Sequence, residues 1–359
     1  MPPNCWTRPP TVDTDRQKAG RRLARLSALA VLLSLFACLW PAGQSRAAYP
    51  IGDVLLAMPV TEGSQPALLY SLIERSARQY ASAPIMLHYV PGRGGSYAWS
   101  FLKDKPGNGS ALAALHFPSA LLLAADKNHA FSPDDIAPVA VFAYAANALW
   151  VAEDSPIRTL DDLTAYAREP GNTLIIAGTG RYTDHHMADL IHNRAAGIKT
   201  LYLPLTGTVE SVAAVKEKRA TACWGYALVP STMPGLRPLA VAAPERCPAL
   251  PDTPTFREQN MEVISGQYFG LAAPAGSKER VREEIAEFFL KVFSNPELLD
   301  EVTAAGFVPD PLDLRDMVPF VGRQRLAVQT FLDDYPMFPP RGTLPLWSPS
   351  KDDEDDAGR

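Results

Sequence analysis

Apolar residues along the chain fall into short runs separated by segments with helical spacing. Ten runs read as strands: Asp53–Met58, Ile85–Val90, Ala111–Phe117, Val139–Ala143, Ala148–Ala152, Thr173–Ala177, Thr200–Pro204, Thr221–Trp224, Arg237–Ala242 and Gln267–Ala272. They are short and apolar at consecutive positions, as strands covered on both faces are. Helices fall between them. After Ser64, Pro66 stands where a first helical residue belongs, and Leu68, Leu69, Leu72, Ile73, Ala77 and Tyr80 then repeat at helical spacing. Thr159 and Asp162 have capping-box spacing ahead of Leu160–Arg168. Asp184 opens a helix through Ala195, where a negative charge suits the dipole. Lys278–Phe293 is amphipathic, and Asn295-Pro296 starts a further helix that Gly306 ends. Alternating strand and helix means an α/β fold with mainly parallel sheets. Ten strands fit two modest sheets better than one.

The N-terminus has its own pattern. Arg16, Lys18, Arg21, Arg22 and Arg25 precede an apolar run from Leu26 to Trp40, and Ser45-Arg46-Ala47 supplies small residues at the −3 and −1 positions. This is a signal-peptide layout over residues 1–47, with a run shorter than the roughly 20 residues of a spanning helix. Leu35–Cys38 resembles a lipoprotein box, so a lipid anchor at Cys38 is the minor alternative. Composition changes with cleavage. The whole chain has 359 residues and a net charge of −5. Cleavage after Ala47 carries off seven basic and two acidic residues and takes the charge to −10. An acidic chain is a poor nucleic-acid binder. Cys223 and Cys247 would remain, either as a disulfide or as two buried thiols. Residues 336–359 are proline-rich and then acidic, an extended or disordered tail.

Several chemistries are missing. There is no nucleophile elbow, P-loop, zincin motif or Cys-x-x-Cys. His185, Asp189 and His192 stand at i, i+4 and i+7, a spacing zinc or nickel would accept. The plainer reading is a polar outer helix face, because the apolar stripe runs through Met187, Leu190 and Ile191. No metal or other cofactor is expected. Two strand-to-helix turns remain. One contains Thr61, Glu62, Gly63, Ser64 and Gln65; the other contains Gly178, Thr179, Gly180, Arg181, Tyr182 and Thr183. Such turns expose helix N-terminal N–H groups that favour a carboxylate or phosphate. In open α/β sheets ligands sit at the carboxyl ends of strands, so the two turns would clamp a small anion between them. Gly207, in Pro204–Thr208, offers a third wall, and Tyr226 and Tyr268, read as following strands, would close the cleft sides.

Longer motifs occur in a consistent order: VPGRGG at Val90–Gly95, FSPDDIAPVAVF at Phe131–Phe142, GTGRYTDHHMADL at Gly178–Leu190, LPLTG at Leu203–Gly207, the block Leu236–Gln259, and YFGLAAPAGSKERV at Tyr268–Val281. With these the chain resembles the Bug-type receptors of tripartite tricarboxylate transporters, from about Tyr49 to Tyr335. The resemblance implies a two-lobe type II periplasmic binding fold crossed twice by the chain. Lobe one would be residues 49–148 plus 264–335, and lobe two residues 149–263. It implies a periplasmic, non-enzymatic receptor that delivers a small carboxylate to membrane permease subunits. A diverged receptor acting as a sensor or interaction protein is the alternative. The family grips its ligand with the same two turns, and Gly180, Thr183 and His186 match its pattern. The first turn departs from it: Ser64 replaces a glycine, Ala67 an aspartate, and Glu62 adds a negative charge. Arg181 stands where the family has a neutral residue. Arg181 would then hold a ligand carboxylate with Glu62 facing an amine or hydroxyl, or the two would pair across the cleft.

Overall fold

The computed structural model describes residues 49–50, 52–125 and 131–335. The expected signal peptide, Cys38 and the acidic tail lie outside the described residues. The first part of the fold follows the hydrophobic pattern closely. Strand β1 (Val54–Met58) leads to helix α1 (Gln65–Ala77), then β2 (Ile85–Tyr89), α2 (Ser96–Leu102), β3 (Ala111–Phe117) and α3 (Ser119–Ala124). A long strand, β4 (Ile136–Ala152), follows. Beyond it come α4 (Leu160–Arg168), β5 (Ile175–Thr179), α5 (Asp184–Ala196), β6 (Leu201–Leu205), α6 (Thr208–Lys216), β7 (Ala222–Tyr226) and β8 (Leu236–Val241). The chain ends with β9 (Gly266–Pro274), α7 (Glu279–Phe293), α8 (Pro296–Ala305), β10 (Val308–Leu312) and α9 (Leu314–Asp334).

The strands run in the order β2-β1-β3-β9-β4-β7-β5-β6, with β8 and β10 also pairing with β4. Parallel pairing holds at both wings, where β1 joins β2 and β3, and β5 joins β6 and β7. The centre is antiparallel, because β4 and β9 carry the chain across in opposite directions. The two sheets expected from the sequence are therefore joined through β4. Its first part pairs with β9 and β10, and its last residues with β7 and β8.

The sequence splits this strand in two, at Tyr144–Asn147. Ala-Ala-Asn has little strand propensity of its own, so the continuity comes from partners. Ala145 and Ala146 pair with Gln267 and Gly266, and Asn147 with Tyr226. The return crossing is tied at the same level: Asn147 N–H donates to Ser265 O (2.9 Å), Ser265 N–H to Ala242 O (3.0 Å), and Ala242 N–H to Asn147 O (2.7 Å).

Helices cover both faces of each wing. On the first wing, Leu69 and Ile73 of α1 meet Phe289 and Phe293 of α7 over Phe142 of β4. The opposite face holds Trp99, Leu122, Met317 and Phe320. The second wing buries Leu160, Leu163, Trp224 and Phe256 on one side. Trp150, Val212, Val215 and Met233 lie on the other. The expected caps form. Thr159 and Asp162 make the reciprocal capping box, and Gly306 ends α8 in the left-handed region. Helices α2, α3, α6 and α9 and strand β10 go beyond the sequence expectation. Cys223 and Cys247 are buried free thiols.

Helix α5 turns the expected polar outer face inward. His185, Asp189 and His192 are all buried, while Met187 and Ile191 are half-exposed. The polar atoms find internal partners that apolar counting does not reveal. Asp189 accepts from Thr200 Oγ1 (2.7 Å), Asn193 Nδ2 (3.2 Å) and Trp224 Nε1 (3.4 Å). Burial still pushes its carboxyl up to about 6, against these three bonds. His192 packs edge-on against Trp224 and Phe256, and neither ring nitrogen has a hydrogen-bond partner. Among the described residues no group of three His, Cys, Asp or Glu side chains is placed to hold a metal. No helix among them is long and apolar enough to cross a membrane.

Candidate functional site

The carboxyl ends of five strands converge on one cleft. β1 and β3 approach it from the first wing, and β5, β6 and β7 from the second. Of the residues expected there, Ser64, Thr179, Thr183, Gly207 and Tyr226 line it. The sequence reading missed four polar lining residues: His116, Ser119, Asp184 and Gln267. The free space between the walls is about 30 Å³, on the order of two water molecules. The wings are closed upon one another.

Glycine makes this closure possible. A Cβ at Gly180 would stand 3.0 Å from the backbone nitrogen of Gly94, and one at Gly94 would stand 2.9 Å from Thr183 Cγ2. Gly207 meets Thr61 in the same way: a Cβ there would lie 2.9 Å from Thr61 Oγ1. Thr61 also donates across the wings to Glu210 (3.2 Å). Within the second turn, Gly178 leaves room for Tyr202, whose hydroxyl donates to Thr179 O (2.6 Å).

Gln65 is fully committed to joining the wings. Its Nε2 donates to Tyr226 O (3.1 Å) and Thr232 Oγ1 (2.9 Å), its Oε1 accepts from Tyr226 N–H (2.8 Å), and its own N–H donates to Thr208 Oγ1 (3.2 Å). Gln65→Ala removes the three side-chain bonds. It is expected to weaken the closed form by about 1–3 kcal/mol, read as a lower thermal midpoint and a larger radius of gyration in small-angle scattering. An unchanged radius and midpoint would contradict that role.

The donors of the second turn are largely spent inside the protein. Thr179 N–H donates to His185 Nδ1 (3.3 Å), Tyr182 N–H to His186 Nδ1 (3.3 Å) and Gly180 N–H to Leu205 O (2.9 Å). Thr183 caps α5, accepting from His186 N–H (3.5 Å). Tyr182 takes a positive φ of 61°. His186 packs against Tyr202 with the rings tilted, and burial, then the charge of Arg181, lowers its imidazole to about 4. Glu62, Gly63 and Arg181 are exposed, and none of them lines the cleft. Among the described residues Glu62 and Arg181 form no ion pair with each other, so the pairing across the cleft is not present. Tyr268 lies away from the cleft, packed on Tyr144 (4.8 Å) and Phe320 (5.1 Å).

Inside the cleft the polar groups are buried and partly unpaired. Ser119 Oγ lies 3.1 Å from Asp184 Oδ1, and it accepts from Gln267 Nε2 (2.9 Å) and Asp184 N–H (3.1 Å). Ser64 caps α1 by position, yet its hydroxyl makes no cap bond and has no partner. His116 Nε2 and Asp184 Oδ2 are likewise without partners. Burial lowers His116 to about 3, so its ring is neutral. Burial, then the charge of Asp184, holds the Tyr226 hydroxyl well above its usual range and therefore protonated. A closed, small cleft with unpaired polar atoms of both kinds suits a small polar solute.

Residues 71–329 match the model of the tripartite tricarboxylate transporter family receptor. The chain belongs to this family. Its fold is that of the periplasmic binding protein BugD, with a TM-score of 0.74 at 17% identity, covering 80% of this chain and 98% of BugD. MatC from Rhodopseudomonas palustris, solved with malate, matches at 22% identity and a TM-score of 0.69 over 80% of this chain and 98% of its own. Rpa4515 of R. palustris, solved with adipate, matches at 20% identity and a TM-score of 0.74 over 79% and 97%. The receptor family and fold class expected from the ordered motifs are thus those of the molecule. The tricarboxylate-receptor cleft has the strand ends where the sequence put them. Three of the missed side chains sit in places with no motif: His116 and Gln267 inside apolar strands, and Ser119 just after Phe117-Pro118. Asp184 carried a signal, as the acidic first residue of α5, but one that reads equally well as a dipole partner.

Proposed function

We propose that this receptor is exported, closes two lobes on a small carboxylate, and delivers it to the permease subunits of a tripartite transporter. The lobes are residues 49–148 with 264–335, and residues 149–263, joined at β4 and β9. The observation that carries the reading is the cleft itself. It takes its walls from the carboxyl ends of strands in both wings, and around it the wings meet through close-approaching glycines and the hydrogen bonds of Gln65. Membership of the receptor family supports it, as do the malate and adipate held by structurally similar proteins. Opening at the crossing strands admits ligand, and closure buries it, a hinge mechanism of the usual kind for such receptors.

The test is native mass spectrometry of protein purified from the periplasm. The expected result is a chain beginning near Ala48, carrying a small acid that is lost on activation. An intact N-terminus in the cytosolic fraction, with no thermal shift from any of a panel of C2–C6 carboxylates, would overturn the reading.

A further inference from the structure

The cleft has two helix N-termini, and they are not equivalent. Helix α1 has no acidic residue in its first turn, and its cap hydroxyl, Ser64 Oγ, is buried and unpaired. Helix α5 begins with Asp184, which is 1% exposed and lines the cleft. A carboxylate already stands at the positive end of α5, where a ligand carboxylate would otherwise be drawn. Its Oδ1 lies within hydrogen-bonding distance of Ser119, and the Tyr226 hydroxyl faces the carboxylate, but its Oδ2 makes no hydrogen bond of good geometry.

No lysine or arginine among the described residues lies within ion-pair distance of Asp184. Its nearest basic group is His185 Nε2, 3.8 Å from Oδ2. Burial lowers the imidazole of His185, more than the Asp184 charge raises it, so the ring is not a standing cation. A buried carboxylate without a cation is costly. The cleft therefore lacks a positive group on the α5 side. On the α1 side it offers a hydrogen-bond donor to an anion, the unpaired Ser64 hydroxyl, and the neutral His116 ring also lines the cleft. Glu62, the acid that the sequence nominates to meet an amine, is exposed and outside the cleft.

We infer that the cleft selects a small zwitterion, an amino acid whose carboxylate accepts from the Ser64 hydroxyl at the start of α1 and whose ammonium group pairs with Asp184 Oδ2. This rests on the receptor reading above and narrows its ligand class, away from dicarboxylates. A second ligand carboxylate would face Asp184 and be repelled.

The probes are unbranched ω-amino acids of two to five carbons, each compared by isothermal titration with the monocarboxylate and the dicarboxylate of the same length. The protein is the full mature chain after exhaustive dialysis. The expected result is that at least one amino acid binds tenfold or more tighter than both of its partners. Asp184→Asn, which keeps the acceptor that faces Ser119, should cut that amino acid's affinity at least tenfold and narrow its margin over the dicarboxylate. Circular dichroism of the variant checks its fold, and the wild-type ratios alone decide the matter if the variant does not fold. Dicarboxylates or monocarboxylates binding as tightly as every amino acid would overturn the zwitterion assignment and leave the carboxylate receptor standing. An unchanged preference in a folded Asp184→Asn protein would overturn it as well. Binding of none of the probes would overturn both readings.

Discussion

Lowering the pH from 7.5 to 4.5 is expected to remove about 6 kcal/mol of folding stability. The cause is a set of histidines buried in neutral form. Burial lowers His116 to about 3, His192 to about 4 and, with a smaller contribution from Arg181, His186 to about 4. In the unfolded chain each would titrate near 6.5. Between these values the unfolded state binds more protons than the native one. The stability is therefore fully present above about pH 6.5 and is lost as the pH falls toward the native values. Asp189 works the other way. Its carboxyl is raised to about 6, so protonation on acidification relieves a burial cost. One acid against three bases leaves the net slope positive with pH. Urea denaturation at pH 7.5, 6 and 4.5 measures it, and a flat or inverted dependence would contradict the assignment. His192→Leu sharpens the test. Both ring nitrogens lack partners in an aromatic pocket, so the variant should be more stable at pH 5 and show a shallower dependence.

Gly270→Ala should cost about 3 kcal/mol or more. Gly270 lies in the middle of β9, fully within the central sheet, where a Cβ would stand 2.2 Å from the carbonyl oxygen of Ala140 and 3.2 Å from Val141 Cα. Those atoms are backbone and cannot swing aside. The register of β4 shifts twice opposite this point, between Pro138 and Ala140 and between Val141 and Ala143. Irregular pairing there brings the two main chains unusually close, and only a residue without a side chain fits between them. Tyr70 adds a second constraint, donating its buried hydroxyl to Gly270 O (2.8 Å). Gly276→Ala is the control, since nothing lies within 4 Å of its Cβ position. A loss below about 1 kcal/mol for Gly270→Ala, or an equal loss in the control, would show that the strands can separate.

Much of this fold is legible in the hydrophobic pattern because both wings are covered on both faces. Runs such as Ala111–Phe117, buried at every position, leave no ambiguity about strand or depth. What escapes is whatever depends on a distant partner. Asn147 reads as an interruption, yet it is held in β4 by Ser265 and Ala242. Helix α5 reads as polar outside, yet Thr200 and Trp224 donate to its Asp189 carboxylate in the interior. The site shows the same division. Its location at strand ends follows from topology alone, and Ser64, Thr179 and Thr183 follow from the turns. Arg181 and Glu62 drew attention by charge, and both stand exposed outside the cleft walls. His116 and Gln267 sit on apolar strands and gave no local signal. Their place in the cleft is set by β3 pairing with β9, where His116 and Phe269 are register partners.

One strand serves both wings, and that restricts how the molecule can change over evolutionary time. Side chains alternate along β4, so inserting a single residue near Asn147 would turn every later side chain to the opposite face. Trp150, now buried against Val212 and Met233, would exchange places with Leu149 and Val151, which face Trp224 and Phe256. A loop between lobes can drift in length one residue at a time. This crossing can lengthen only in pairs or through a further bulge, so the spacing between the wings is more tightly held than the turns around it.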